Sequence, residues 1–158
     1  IGHYMASSLD TYIEQWPSIT TLQKEIDESN PVISDDTEYV IYGIFNDYDN
    51  RYWESPPSND DFEDTVSRLL ERVDSKILFI LPAEKLNSAC YNGEGGISMD
   101  RVKSFNDIVR SFQSNEVDCF SLDTAISESS HEQIHDARHY PRDVWKQVGE
   151  YVGRWLLH

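Results

Sequence analysis

Short apolar runs alternate with helical periodicity from residue 36 to the end of the chain. Mainly apolar runs of strand length cover residues 39 to 45, 76 to 81 and 117 to 122. Elsewhere, apolar residues recur at intervals of three and four, which is the period of a helix packed on one side. This alternation predicts an α/β fold with a mostly parallel sheet.

The periodicity predicts three amphipathic helices. In chain order, their apolar faces comprise Phe62, Val66, Leu69, Leu70 and Val73; Val102, Phe105, Ile108, Val109 and Phe112; and Val144, Val148, Tyr151, Val152 and Trp155. The last helix begins at Pro141, because proline fits a first helical turn. Before residue 36, the pattern predicts a short strand ending near residues 4 to 6 and a helix over 12 to 26 that bends at Trp16-Pro17.

The length and the first residue of the chain indicate how it is organised. A chain of 158 residues has the size of one domain with one core, so we predict a single domain over residues 1–158. Because the chain starts at Ile1 and not Met, we expect a processed or trimmed form, with a partly cloning-derived origin of residues 1–7 as an alternative to a native one.

The balance of 29 acidic against 13 basic residues gives a net charge of -16. This charge repels nucleic acid phosphates and anionic lipid headgroups, so neither nucleic acid nor membrane is an expected partner. A basic protein remains an alternative partner. The longest apolar run, residues 77 to 82, is far shorter than the ~20 residues of a membrane helix, and no signal-peptide pattern opens the chain, so a soluble protein is expected.

Three of the five histidines lie within nine residues, at His131, His135 and His139. The sequence from His131 through Glu132 to His135 fits a zinc signature, in which two imidazoles one helical turn apart hold the metal and the glutamate is the general base. His139 would then complete one helical face. A segment between a predicted strand and the helix at Pro141 has little room for such a helix. A zinc-dependent hydrolase is therefore the less favoured alternative, and no metal or other cofactor is expected.

The C-terminal part of the same segment predicts a different chemistry. Asp136 and His139 lie just before the last helix. In such a pair the carboxylate holds one imidazole nitrogen, while the other nitrogen accepts a proton from a nucleophile.

This pair and the order of elements before it resemble the SGNH (GDSL-type) hydrolase family, in which an Asp-x-x-His pair precedes the C-terminal helix. A strand of that family ends in Gly-x-Asn-Asp, and here Gly43 is followed by Asn46 and Asp47, with one additional residue. The family order continues with a strand ending in proline, an aromatic-Asn pair and a Val-Asp strand. The corresponding residues are Pro82, Phe105, Asn106, Val117 and Asp118.

The resemblance implies a three-layer α/β/α fold and a serine nucleophile. The nearest match to the family's Gly-Asp-Ser-Leu motif is Ala6-Ser7-Ser8-Leu9, a degraded form in which Ala6 and Ser7 replace glycine and aspartate. By this resemblance Ser8 is the nucleophile. The implied reaction is hydrolysis of a carboxylic ester, with a small ester or an O-acetylated carbohydrate as substrate, through an acyl-enzyme.

The resemblance also implies roles for the remaining site residues. His139 would be the base, oriented by Asp136, and the oxyanion donors would be the side-chain amide of Asn46 and the backbone amide of Ser8. The degraded first motif and the charge of -16 motivate an alternative, a non-catalytic acidic binding or immunity-type protein on the same fold.

Overall fold

A computed structural model describes most of the chain after residue 20. The described residues are 21–27, 31–48, 57–91, 97–129 and 133–158. Their helices are α1 (Leu22–Asp27), α2 (Asn59–Arg72), α3 (Met99–Ser111), α4 (Leu122–Ser127) and α5 (Arg142–Leu156), with a 3₁₀ helix at Ser88–Tyr91. In this part of the chain, no helix has the length and apolar character needed to cross a membrane.

Within the described residues, the sheet contains three parallel strands, β1 (Tyr39–Gly43), β2 (Lys76–Leu81) and β3 (Val117–Ser121), in the order β1-β2-β3. Ile77 of β2 pairs with Val40 on one side and with Val117 on the other. Since the strands are parallel, all three carboxyl ends meet at one edge of the sheet. The predicted mixed α/β character with a parallel sheet is therefore present in the described residues.

Strand β2 is buried over residues 77 to 81, which explains its continuous apolar sequence. Successive side chains of a strand point to opposite faces. Accordingly, Ile77, Phe79 and Leu81 pack in one cluster with residues of α2 and α3, whereas Leu78 and Ile80 pack in another cluster with residues of α4 and α5. The predicted apolar faces of the helices are the faces that pack.

The short helix α1 is held against α2 by polar side chains. The Glu25 side chain, only 1% exposed, forms an ion pair with Arg72 at 2.7 Å. Its carboxylate also accepts hydrogen bonds from the backbone amides of Val32 and Ile33 at 3.1 and 2.9 Å. Thr65 donates to the Gln23 side chain at 2.6 Å. A buried carboxylate with this many donors is electrostatically satisfied.

Two elements differ from the sequence prediction. Strand β1 ends at Gly43 rather than at residue 45, because residues 45 to 48 form a turn. The strand β3 leads directly into α4, where a loop was predicted; Ser121 caps this helix by accepting a hydrogen bond from the Asp123 amide at 3.1 Å. Six residues are too few to show helical periodicity. Of the predicted N-terminal elements, only the end of the 12–26 helix falls in the described residues, within α1.

Candidate functional site

The segment that carries Asp136 and His139 lies at the carboxyl edge of the sheet. The backbone amide of Ala137 donates to the carbonyl of Cys90, at the 3₁₀ helix that follows β2, at 2.9 Å. The hydroxyl of Tyr140 accepts from the amide of Ala83, two residues beyond the end of β2, at 3.2 Å. Two independent hydrogen bonds therefore fix this segment beside the carboxyl end of the central strand, β2.

Asp136 and His139 are in direct contact. The Asp136 Oδ2 lies 2.5 Å from the His139 Nδ1, and the Asp136 Oδ1 accepts the Arg138 amide at 2.8 Å. The backbone makes a tight turn between them, with the His139 amide donating to the Asp136 carbonyl at 3.3 Å. The His139 side chain is 81% exposed and that of Asp136 is 38% exposed. The imidazole is thus held at one nitrogen and accessible to a substrate.

The electrostatics of the turn favour an ionised Asp136. Partial burial opposes ionisation, but hydrogen bonds from the His139 ring and the Arg138 amide outweigh it and lower the pKa of Asp136 below its ordinary value of 3.8. An ionised carboxylate only accepts hydrogen bonds, so the proton between the two groups belongs to Nδ1. In the neutral imidazole, Nε2 is then the unprotonated nitrogen, which is the form that a general base requires.

Asn46 lies in the turn after β1, at the same edge of the sheet, and is partly buried. The neighbouring Phe45 ring contacts the rings of Tyr140 and Trp145, with centroids 6.3 and 5.9 Å apart. A Cβ at Gly43 would lie 2.4 Å from the Phe45 ring, so glycine is what allows this ring to fold back over the strand end. The turn that carries Asn46 therefore packs against the residue that follows His139.

The same turn is anchored from below by Asp47, which is 1% exposed. Its carboxylate accepts hydrogen bonds from the Leu22 amide at 2.8 Å and from the Tyr42 hydroxyl at 2.9 Å. Burial raises the pKa of Asp47 from 3.8 to about 6, although both hydrogen bonds act in the opposite direction. Asp47 is thus a structural group that joins α1, β1 and the Asn46 turn.

Asn106, the asparagine of the aromatic-Asn pair, also has a structural role. Its side-chain amide donates to the Pro82 carbonyl at 3.0 Å and to the Glu84 carboxylate at 2.8 Å. Asp123 in α4 accepts the backbone amides of Glu84 and Lys85 at 2.9 and 3.2 Å. These contacts fix the loop after β2, against which the Asp136 segment packs. Sequence reasoning missed Asp123 because α4 was not predicted.

The remaining predicted site residues are those of the serine motif and of the zinc hypothesis. Ser8, His131 and Glu132 lie outside the described residues. Residues 133 to 141 contain no helix, so His135 and His139 do not share the helical face that the zinc hypothesis required. Within the described ranges, no group of three His, Cys, Asp or Glu side chains is arranged to hold a metal ion.

Two surface cavities lie away from the Asp136–His139 pair. One, of about 220 Å³, is at the opposite edge of the sheet and is lined by residues that include Lys76, Asp118 and Trp155. The other, of about 310 Å³, lies beside the end of α2 and is lined by residues that include Ile33 and Arg72.

Comparison with known protein families, curated proteins and solved structures finds no match to this chain.

Proposed function

We propose that this protein is a serine-dependent hydrolase of carboxylic esters, built as a three-layer α/β/α domain of the SGNH type. The observation that carries the proposal is the contact between Asp136 and the Nδ1 of the exposed His139, at the carboxyl edge of a parallel sheet. Ligand and catalytic sites of open parallel α/β sheets form at that edge. A carboxylate-held imidazole there is suited to accept a proton from a hydroxyl nucleophile.

In the proposed reaction, Ser8 attacks the acyl carbon while its proton passes to Nε2 of His139. The tetrahedral intermediate collapses, the alcohol leaves with that proton, and the acyl group remains on Ser8. A water molecule, deprotonated by His139, then attacks the acyl-enzyme and releases the carboxylic acid and free Ser8. Asp136 stabilises the imidazolium, and the oxyanion is stabilised by the Asn46 side-chain amide and the Ser8 backbone amide.

The packing of Phe45 supports the part assigned to Asn46. Through the contact of Phe45 with Tyr140, the turn after β1 and the turn between Asp136 and His139 are neighbours. The oxyanion donor and the general base act on the same ester carbonyl group, so the mechanism requires the two turns to be close together.

The exposure of His139 supports a short acyl group. The ring is 81% exposed. An open site of this kind suits an acetyl group carried at the surface of a bulky alcohol, such as an O-acetylated carbohydrate, better than a long acyl chain that needs an enclosed pocket. The proposal therefore names acetyl esters as the substrate class.

Turnover of p-nitrophenyl acetate and labelling by a fluorophosphonate probe test the proposal. Ser8→Ala and His139→Ala should each lower kcat by about 10³-fold or more, and Ser8→Ala should abolish labelling. Ser7→Ala and His135→Ala are matched controls, because they change a neighbouring serine and an exposed histidine of the same segment, and both should retain activity. Retained turnover in either Ser8→Ala or His139→Ala would contradict the mechanism.

A second candidate function is supported by the charge. With a net charge of -16, the protein is suited to bind a basic partner as a non-catalytic, immunity-type protein on the same fold. This function predicts no fluorophosphonate labelling together with salt-sensitive retention on an immobilised basic protein. Stoichiometric labelling of Ser8 would exclude it in favour of the hydrolase.

A further inference from the structure

A closed circuit of four hydrogen bonds lies beneath the Asp136–His139 turn. The Tyr91 hydroxyl donates to the Ala83 carbonyl at 2.6 Å, and the Ala83 amide donates to the Tyr140 hydroxyl at 3.2 Å. The Tyr140 hydroxyl donates to the Ala137 carbonyl at 2.7 Å, and the Ala137 amide donates to the Cys90 carbonyl at 2.9 Å. Because Cys90 and Tyr91 are consecutive, the circuit closes through the backbone.

The circuit is buried although the pair above it is exposed. Its members Ala83, Tyr91 and Ala137 are at most 1% exposed, and Tyr140 is 8% exposed. Burial raises the pKa of Tyr91 to about 12 and raises the pKa of Tyr140 further, so both hydroxyls keep their protons at neutral pH. In such surroundings, a backbone group that loses its partner is left without water to replace it, so breaking the circuit is unfavourable. The circuit is therefore a rigid support.

The hydrogen-bond circuit includes the residues that directly follow Asp136 and His139 in the sequence. Ala137 follows Asp136 directly, and Tyr140 follows His139 directly. Both backbone groups of Ala137 are used by the circuit. The exposed His139 ring gains little restraint from packing, so the orientation of the pair depends on how the backbone on either side is held.

We propose that Tyr140 is a positioning residue, whose hydroxyl sets the geometry between Asp136 and His139 by joining the Ala83 amide to the Ala137 carbonyl. The role in catalysis rests on the proposed function, whereas the role in geometry does not. Both hydrogen bonds of the Tyr140 hydroxyl go to backbone groups. It acts through the turn.

Tyr140→Phe removes the hydroxyl and retains the ring that packs on Phe45 and Trp145. We expect the ¹⁵N and ¹H NMR signature of the His139 Nδ1–H tautomer to be lost or broadened. In a ¹³C titration, the pKa of Asp136 should rise towards its ordinary value. For p-nitrophenyl acetate, kcat should fall about 10- to 100-fold with KM within about twofold, since misplacement of a catalytic group acts on the chemical step.

Tyr151→Phe is the matched control. It also removes a tyrosine hydroxyl that donates a hydrogen bond, here to Asp118 at 2.7 Å, near the start of β3 and away from its carboxyl end. A general loss of stability would appear in both variants, but the change in the His139 signature should appear only in Tyr140→Phe. An unchanged His139 signature and Asp136 titration in Tyr140→Phe would overturn the proposal.

The two proposals fail separately. If the wild-type protein turns over no ester, the NMR readouts still decide whether Tyr140 positions the pair. If Tyr140→Phe does not fold, Tyr91→Phe removes the other hydroxyl of the circuit and should produce a smaller change of the same kind in the His139 signature. No change in that variant would then overturn the proposal.

Discussion

The buried carboxylate of Asp47 makes a quantitative prediction about stability. Asp47→Asn replaces a carboxylate with an amide of nearly the same shape. The new side-chain oxygen can accept the Leu22 amide, and the new NH₂ group can donate to the Tyr42 oxygen, so both contacts of Asp47 have a counterpart. The substitution removes the charge and keeps one hydrogen bond at each contact, with the Tyr42 hydroxyl now accepting instead of donating. We therefore expect a more stable protein at neutral pH.

The magnitude follows from the pKa of Asp47. Burial raises this pKa from 3.8 to about 6. The rise is roughly two pKa units, which at about 1.36 kcal/mol per unit gives about 3 kcal/mol as the cost of keeping the group ionised in the folded state. Asp47→Asn should raise the free energy of unfolding by about 2 to 3 kcal/mol at pH 8.

The effect of Asp47 on stability depends on pH. The folded-state pKa lies above the unfolded-state value, so the folded protein binds the proton more tightly between pH 3.8 and 6. The contribution of Asp47 to stability is fully present below pH 3.8 and is lost as the pH rises through 6. The advantage of Asp47→Asn should therefore shrink as the pH falls, to about half its full value at pH 5.

Urea unfolding of both proteins at pH 8, 7, 6 and 5 measures this difference directly. Asp64→Asn, on the exposed face of α2, is the control, because it removes one negative charge from the surface of a strongly acidic protein. It should change stability by less than about 0.5 kcal/mol at every pH. The reasoning is refuted if Asp47→Asn destabilises the protein at pH 8, or if its effect does not depend on pH.

Three further predictions concern other parts of the fold. Gly149→Ala, within α5, adds a Cβ that meets nothing within 4 Å, so it should raise the free energy of unfolding by about 0.5 to 1 kcal/mol in thermal or urea unfolding. Arg72→Met leaves the buried Glu25 without its counter-charge and should lower the free energy of unfolding by about 3 kcal/mol in the same assay. The control Arg68→Met breaks a surface ion pair at 3.9 Å and should lower it by less than about 1 kcal/mol. Equal effects of the two substitutions would contradict this prediction. Burial raises the pKa of the Cys119 thiol to about 12, so peptide mapping should show slow alkylation of Cys119 at pH 8 that accelerates about tenfold per pH unit; fast labelling at pH 8 would disagree.

The parts of the fold that the sequence predicted are those set by local apolar periodicity. Strand β2 begins and ends at the predicted residues, and the apolar face predicted for the helix before it is the face that packs. The Asp136–His139 contact joins residues three positions apart in one turn, so the sequence alone could also predict it.

The rest depends on tertiary contacts that no local pattern records. The hydrogen bond from Ala83 to Tyr140 joins residues 57 positions apart, and that from Leu22 to Asp47 joins residues 25 positions apart. In the sequence, Asp47 differs little from the many exposed aspartates of this acidic chain. Only the placement of α1 over the turn after β1 makes it a buried group.

The anchoring of α1 has a consequence for the order of folding. A helix of six residues is not stable alone in water, because nucleation costs more than so few hydrogen bonds return. The hydrogen bonds that hold α1, from the Leu22 backbone amide and the side chains of Gln23 and Glu25, reach residues 25, 42 and 47 positions away along the chain. These partners are in position only after β1 and α2 have packed. Helix α1 therefore docks late in folding, and its amides should exchange with solvent through a local opening that leaves the sheet intact.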